Sequence, residues 1–325
     1  MNIVYSTSDY FVKPTITSIV SLVNHNEVTN IIILYSDLSY DSIELIKRIV
    51  KKCNLIFLKC DDIIKDKLSH LKLKKVRGNW NTYLRVFIPS LFPEFDRILY
   101  IDSDTLINGD ISNFYNLNFD DNYFAASIDY AAKSKYSNIE SKEILDKGEY
   151  YNCGILLLNN SKLVEINFTD QILSFLEKTK LKFRVADQSI INYLYYNKFK
   201  TVDIGYNFYS SLHYFNSIAS KFVLGVDFTN YHKNKDEIKI IHFIGHWFER
   251  PWFKTHYSIF SKTYLNVFSS CGFTKNDLLE TPKYSKHYIY DYTMLFLRKG
   301  GFLTTEFYFR YLVMQKLKAI IKIER

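Results

Sequence analysis

Short apolar runs alternate with longer amphipathic ones across the first sixty residues, and few architectures accept that order. Ile3-Val4-Tyr5 reads as a buried strand running into the polar loop Ser6-Thr7-Ser8-Asp9. From Thr15 to Val23, apolar residues recur at helical spacing (Ile16, Ile19, Val20, Val23), so a helix follows. Ile31 to Tyr35 is a second strand, Ser42 to Cys53 a second helix, and Leu55 to Leu58 a third strand. Strand, helix, strand, helix, strand is the order of a parallel sheet with right-handed crossovers. Such sheets bind ligands beyond the carboxyl ends of their strands, which makes the loop at residues 6–9 a candidate nucleotide site. Neither G-x-G-x-x-G nor G-x-x-x-x-G-K-[ST] occurs, so the dinucleotide fingerprint and the P-loop are both excluded.

The pattern continues downstream. Asn81 to Leu91 reads as helix, closing near Pro89 and Pro93. Arg97 to Ile101 is a strand ending in Asp102-Ser103-Asp104, and Tyr123 to Ile128 a strand ending at Asp129. Residues 131–149 are a polar, Lys/Ser-rich excursion. Gly154 to Leu158 is strand, Phe168 to Glu177 helix, Asp187 to Tyr195 helix, and Ile238 to Phe243 a late strand running into Ile244-Gly245-His246. The fold class is therefore α/β, with a mostly parallel central sheet flanked by helices. At 325 residues, one large domain over 1–265 and a helical appendage over 266–325 is the economical division.

Composition narrows the class further. With 47% hydrophobic and 23% charged residues, a sizeable core is expected and bulk disorder is not. The balance of 42 basic to 34 acidic residues favours anionic partners: nucleic acid, phosphorylated small molecules or an acidic membrane surface. No basic-aromatic motif of an RNA-binding module occurs, so nucleic acid is not expected. Cys53, Cys60, Cys153 and Cys271 form no C-x-x-C pair and read as reduced thiols of a cytoplasmic protein. The chain opens directly into Asn2-Ile3-Val4-Tyr5, so no secretory leader is expected, and no apolar run approaches the ~18 residues of a spanning helix. Between Met294 and Arg325, seven basic residues face two acidic ones, with Phe309, Leu312, Val313, Leu317, Ile320 and Ile321 at helical spacing among them.

The sharpest chemical signal is the apolar strand ending in Asp102-Ser103-Asp104. Carboxylates at i and i+2 of an extended backbone point the same way and can share one divalent cation. Hard oxygen ligands suit Mg²⁺ or Mn²⁺. A second constellation is His242-Phe243-Ile244-Gly245-His246 followed by Arg250-Pro251-Trp252. An imidazole at a strand end can complete a carboxylate site, and Mn²⁺ accepts nitrogen more readily than Mg²⁺. Gly245 allows close backbone approach to a phosphate, and Arg250 or Lys254 can neutralise a leaving group. Asp102-Ser103-Asp104-Thr105-Leu106 also fits the start of a haloacid-dehalogenase-type phosphatase, with Asp102 as nucleophile. That reading wants the motif early in its domain and a later paired-Asp site; here 101 residues precede it, and Gly109-Asp110 lacks a second Asp.

Taken in order, these segments resemble glycosyltransferase family 8, the retaining transferases that include lipopolysaccharide galactosyl- and glucosyltransferases. The resemblance runs from residue 1 to about 265. It is carried by Ile3-Val4-Tyr5-Ser6, Asn81-Thr82-Tyr83-Leu84-Arg85, Tyr100 to Asp104, Ser127-Ile128-Asp129, Tyr151 to Asn159, Ala186-Asp187-Gln188, and His242 to Trp252. It implies a GT-A fold and a UDP-hexose donor. Asp102, Asp104 and His242 would hold Mn²⁺ on the donor diphosphate, with Ser103 between the carboxylates. Ser6, Thr7, Ser8 and Asp9 would hold the uridine. Arg85, Asp129 and the Asn152-Cys153-Gly154 turn would contact the donor or its sugar. Asp187 and Gln188 would lie beside the anomeric carbon, and Gly245 and Arg250 would bind the diphosphate. This chain has Ser8 where the family commonly has an acidic residue. It also has a longer Gly245-to-Arg250 spacing, which keeps Lys254 as a second candidate cation.

Retention follows from the resemblance, and Gln is a poor nucleophile, so same-face attack oriented by Asp187 or Gln188 is expected. Asp129, Asp187 and the Gln188 carbonyl are the groups able to face positive charge on the sugar ring. The basic, aromatic tail resembles the membrane-attaching tail of the lipopolysaccharide enzymes. It implies a cytoplasmic protein, peripheral on the inner face of the membrane, meeting a glycan or glycolipid acceptor there. A catalytically silent partner subunit is the other alternative; it would be expected to have lost Asp102, Asp104 or His242, and all three are present.

Overall fold

The computed structural model describes residues 1–71, 73, 80–130, 148–181, 183, 185–214, 226–281 and 296. The strands are β1 (Asn2–Thr7), β2 (Asn30–Tyr35), β3 (Asn54–Lys59), β4 (Arg97–Ile101), β5 (Thr105–Ile107), β6 (Phe124–Ala126), β7 (Ile155–Asn159), β8 (Phe199–Thr201), β9 (Phe208–Tyr209) and β10 (Ile240–His242). The longer helices are α1 (Val12–His25), α2 (Tyr40–Ile49), α3 (Phe168–Lys178), α4 (Ala186–Tyr195) and α5 (Ser261–Ser270). The chain divides into two compact units: residues 1–207 with 238–241, and residues 208–237 with 242–325.

The first unit is built on a seven-stranded sheet in the order β3-β2-β1-β4-β7-β6-β8. Its first four strands are parallel, with Ile3 opposite Ile31 and Leu99, and Ile31 opposite Leu55. β7 alone runs against its neighbours, pairing Tyr100 with Leu156 and Phe124 with Leu158. The sheet is thus mostly parallel, as the alternation of elements implies. Ile31, Ile32, Ile33 and Leu34 are all fully buried, as a strand covered on both faces requires. The order reverses beside β1, so the carboxyl ends of β1 and β4 flank the crevice where such sheets take ligands.

Four elements depart from the sequence expectation. α2 begins at a Ser39 cap, whose hydroxyl accepts from Ser42 N–H, and stops at Ile49 rather than Cys53. Val50 is extended, with its N–H on Ile46 O, because Asn54 must already be paired to Thr29 O at the foot of β3. Sheet register ends this helix, and no Gly or Pro marks the place. Residues Asn81–Phe87 form a 3₁₀ helix, and only Ile88–Leu91 are α-helical. Nearly every side chain from Asn81 to Phe87 is buried, so the segment threads the core and has no solvent face to stabilise an ordinary helix. β6 stops at Ala126, and Ile128 makes only a single bridge to Tyr151. β10 spans three residues instead of six.

The second unit has its own aromatic core. Phe243 and Tyr264 meet edge to face at 5.6 Å, Trp252 meets Phe243 at 5.7 Å, and Tyr264 stacks on Phe268 at 6.0 Å. A second aromatic cluster, of Phe124, Phe168, Tyr195 and Phe199, lies in the first unit. Among the described residues no helix is long and apolar enough to cross a membrane. The basic tail expected to be helical lies outside the described residues, apart from Phe296, as do residues 131–147.

Candidate active site

β4 is buried from Ile98 to Ile101 and delivers Asp102 and Asp104 to the carboxyl end of the sheet. The turn that carries them is fixed from several sides. Asp102 N–H donates to Gly154 O at 2.7 Å, and Ser103 Oγ donates to Ser6 O at 3.1 Å. Tyr100 OH donates to Asp102 Oδ1 at 2.9 Å. Ser103 thus ties the turn to β1.

Arg85 comes from the 3₁₀ segment and is 5% exposed. Its Nε lies 2.5 Å from Asp187 Oδ2 and its Nη2 3.7 Å from Asp102 Oδ1. Nη1 donates to Cys153 O, and the guanidinium lies 4.4 Å from the Tyr100 ring centroid. The expected donor-contacting arginine is thus placed between two carboxylates, joining β4 to α4. Burial works against its charge, but Asp187, Tyr100 and Asp102 outweigh that and hold the guanidinium protonated. Burial pushes the Asp187 carboxyl up to about 6, against the pull of Arg85.

The remaining sugar-side candidates form one hydrogen-bonded group. Gln188 Nε2 donates to Asp129 Oδ2 at 2.9 Å, and Gln188 Oε1 accepts from Cys153 N–H at 3.0 Å. Asn152 Nδ2 is 3.4 Å from the same Asp129 oxygen, and Asn152 Oδ1 accepts from Gly154 N–H at 2.9 Å. The Gln188 carbonyl expected to face the sugar thus already serves a backbone amide, and Gln188 orients Asp129. Two supporting residues were not singled out from sequence. Asn192, one turn after Gln188, donates to Tyr151 O and accepts from Tyr151 N–H. Asn207 donates to Asn152 Oδ1 at 2.8 Å. The i, i+4 spacing of Gln188 and Asn192 was the available signal. Ala186 opens α4 at φ +46°, a left-handed conformation that costs a β-carbon residue about 1–3 kcal/mol. It turns the chain into the helix that presents Asp187.

The uridine-side residues lie along the end of β1 and the turn after it. Ser6 Oγ donates to Asn81 O, and Thr7 is paired with Thr15 at 2.6 Å. Ser8 is half-buried. Asp9 is exposed and accepts from Ser39 N–H at 2.8 Å and Ser39 Oγ at 3.1 Å, so it ties the β1 loop to the cap of α2. In the second unit, Gly245 has φ +145°, and a β-carbon there would run into the Glu249 carboxylate. That buried carboxylate accepts from His246 N–H at 2.6 Å. Gly245 is therefore demanded by local packing, which sequence alone does not reveal. Arg250 is half-buried, and Lys254 is paired with Glu280.

β10 carries the chain from Ile240 and Ile241 of the first unit to His242, which is 2% exposed. Asp102, Asp104 and His242 each offer a ligand atom, and those atoms all lie within 4.8 Å of one another. Two hard carboxylates and one imidazole fit a divalent cation of the Mn²⁺ or Mg²⁺ type. Arg85 is shared between two of the carboxylates near this group, Asp102 and Asp187.

The Asp187 carboxyl sets an expected pH dependence. Its folded value lies above the ordinary 3.8, so ionisation costs the fold stability. That contribution is greatest below about 4 and is lost as pH rises to about 6, beyond which it is constant. If the ionised form serves the reaction, turnover climbs through about pH 6, and a pH–rate profile of Asp187→Asn lacks that limb. A wild-type profile flat from pH 5 to 8 would contradict the role.

Known proteins share this fold. The profile described as glycosyl transferase family 8 matches residues 2–256. The chain is 26% identical to glycosyltransferase GlyE of Streptococcus pneumoniae over 63% of its length and 47% of that protein's. It is 27% identical to lipopolysaccharide 1,3-galactosyltransferase of Salmonella typhimurium, over 57% of this chain and 53% of that one. The aligned part spans about half the length of such curated relatives. The crystal structure of galactosyltransferase LgtC with donor and acceptor sugar analogs superposes with a TM-score of 0.66 at 16% identity, covering 90% of this chain and all of that one. WbbM, a bifunctional glycosyltransferase, superposes with a TM-score of 0.67 at 21% identity, over 90% of this chain and 51% of that one. Those superpositions show a GT-A fold, and with the profile match over most of its length the chain belongs to glycosyl transferase family 8.

Proposed function

We propose that this chain is a retaining hexosyltransferase that moves glucose or galactose from a UDP-sugar to a cell-surface glycan acceptor, with Mn²⁺ or Mg²⁺ as cofactor. The observation that carries the reading is the Asp102, Asp104 and His242 group, whose ligand atoms lie within 4.8 Å of one another. Asp102, Asp104 and His242 hold the cation, which when bound neutralises charge on the departing diphosphate. Gly245 and Arg250 are the further diphosphate-binding candidates. Arg85 keeps Asp187 and Asp102 in place as charge redistributes. Asp129, oriented by Gln188 and Asn152, faces the positive charge that develops on the sugar ring. Asp187 is held in a buried ion pair, so same-face attack with Asp187 as an orienting group suits the geometry better than a covalent intermediate.

The phosphatase alternative is not favoured. Asp102 Oδ1 accepts from Tyr100 OH and neighbours Arg85, and the family match spans the motif. The direct experiment incubates the protein with a panel of UDP-sugars and Mn²⁺, without acceptor, and follows the released sugar by proton NMR. One UDP-hexose is expected to be hydrolysed, with the α-anomer appearing first. Release of the β-anomer first would contradict retention, and no hydrolysis of any donor would favour the silent-subunit reading.

The basic tail is proposed to dock the protein on an anionic membrane face, where a lipid-linked acceptor would be met. Each cation near such a surface contributes about 1 kcal/mol, so the tail's excess suffices for reversible binding. Removing residues 294–325 is expected to abolish sedimentation with phosphatidylglycerol vesicles and to spare donor hydrolysis. Undiminished sedimentation, or binding insensitive to salt, would overturn the docking.

A further inference from the structure

Helix α1 turns hydroxyls, not only aliphatic groups, toward the sheet. Thr15, Thr17 and Ser18 are fully buried, and Ser21 is 1% exposed. Ser21 Oγ accepts from Ile107 N–H at 2.9 Å, which pins the helix to β5. Ser18 Oγ lies 2.8 Å from Thr105 Oγ1 and 3.2 Å from Tyr5 OH. Thr105, also fully buried, donates its hydroxyl proton to Asp102 O at 2.9 Å.

A hydroxyl has one proton, and that fixes the direction of the chain. Thr105 spends its proton on the Asp102 carbonyl, so it accepts from Ser18. Ser18 then accepts from Tyr5. Burial pushes the Tyr5 phenol up, so it stays a protonated donor. The result is a one-way relay, Tyr5 to Ser18 to Thr105 to the Asp102 carbonyl, in a dry interior where successive hydrogen bonds strengthen one another. The relay ends on the peptide that joins Asp102 to Ser103, between the two carboxylates.

We infer that Thr105 and Ser18 are positioning residues for divalent-cation binding, their hydroxyls setting the peptide after Asp102 and through it the relative aim of the Asp102 and Asp104 carboxylates. This rests on the proposal that those carboxylates hold a cation with the donor. It goes further in assigning part of the metal affinity to helix α1 and β5, whose hydroxyls touch neither cation nor substrate. Outer-shell partners of metal ligands typically contribute ten- to a hundredfold in affinity.

The test measures Mn²⁺ binding to the full chain with saturating UDP, from the electron paramagnetic resonance signal of free Mn²⁺, and needs no turnover. Thr105→Val keeps the β-branched shape and removes the hydroxyl; it is expected to weaken Mn²⁺ binding roughly tenfold or more. Thr105→Ser restores the hydroxyl and is expected to bind within about threefold of wild type. Ser18→Ala is expected to weaken binding less, and the Ser18→Ala, Thr105→Val pair to be no worse than Thr105→Val alone, because both act through one relay. Should Thr105→Val unfold, Ser18→Ala against Thr105→Ser decides the matter. Wild-type affinity in Thr105→Val, equal losses in Thr105→Ser and Thr105→Val, or additive losses in the pair would each overturn the inference while leaving the metal site standing. Failure of the wild-type protein to bind Mn²⁺ with UDP present would instead remove the metal reading, and this inference with it.

Discussion

Asp104→Asn is expected to lower UDP-hexose turnover roughly a hundred- to thousandfold while the protein stays folded, the scale on which losing one stabilising group for a developing anion is felt. The substitution keeps the shape but removes the charge, and turns one acceptor oxygen into a donor, in a group of three whose ligand atoms lie within 4.8 Å of one another. Asp104 is only half-buried and follows the end of β4, so packing loses little. The loss should fall on turnover and apparent Mn²⁺ affinity together, and excess metal should recover part of it. Steady-state kinetics across a Mn²⁺ series, with near-ultraviolet circular dichroism as the fold control, provide the check. Turnover within threefold of wild type would remove Asp104 from the metal set.

Arg85→Leu is expected to cost about 3–5 kcal/mol of stability, the usual consequence of leaving one partner of a buried ion pair alone. Asp187 is 1% exposed, and Arg85 Nε lies 2.5 Å from its carboxylate. Without the guanidinium, Asp187 must be neutralised or the helix start must open. The Cys153 carbonyl would also lose its donor. Urea unfolding is the measurement. The double variant Arg85→Leu, Asp187→Asn should recover part of the loss, since removing both charges removes the uncompensated one. A cost below about 1 kcal/mol would mean that the pair is not dry, and Arg85 would then be free to reach the donor.

Much of the frame was legible because it is written in apolar runs. Ile31 to Leu34 and Ile98 to Ile101 can only be strands covered on both faces, and their order dictates a parallel sheet with its ligand crevice beside β1 and β4. Less legible were features fixed by three-dimensional register. Nothing in Val50 to Cys53 says that α2 must stop at Ile49; the pairing of β3 with β2 decides it. Buried charge was hidden for the same reason. Arg85 reads as a donor-binding cation in sequence, yet Asp187 and Asp102 come to it from a helix more than a hundred residues away and from the adjoining strand. Gln188 reads as a group facing the sugar, whereas its amide is used to hold Cys153 and Asp129. Thr105 reads as part of a phosphatase-like motif, and only the position of α1 reveals what its hydroxyl does.

Calorimetric titration of UDP into the full chain tests whether the Asp102, Asp104 and His242 group binds a nucleotide diphosphate together with a divalent cation. Binding is expected in the presence of Mn²⁺, at least tenfold weaker binding with chelator, and loss of the Mn²⁺ enhancement in Asp104→Asn. UDP binding of equal strength with Mn²⁺ and with chelator, or an unaltered enhancement in Asp104→Asn, would contradict it.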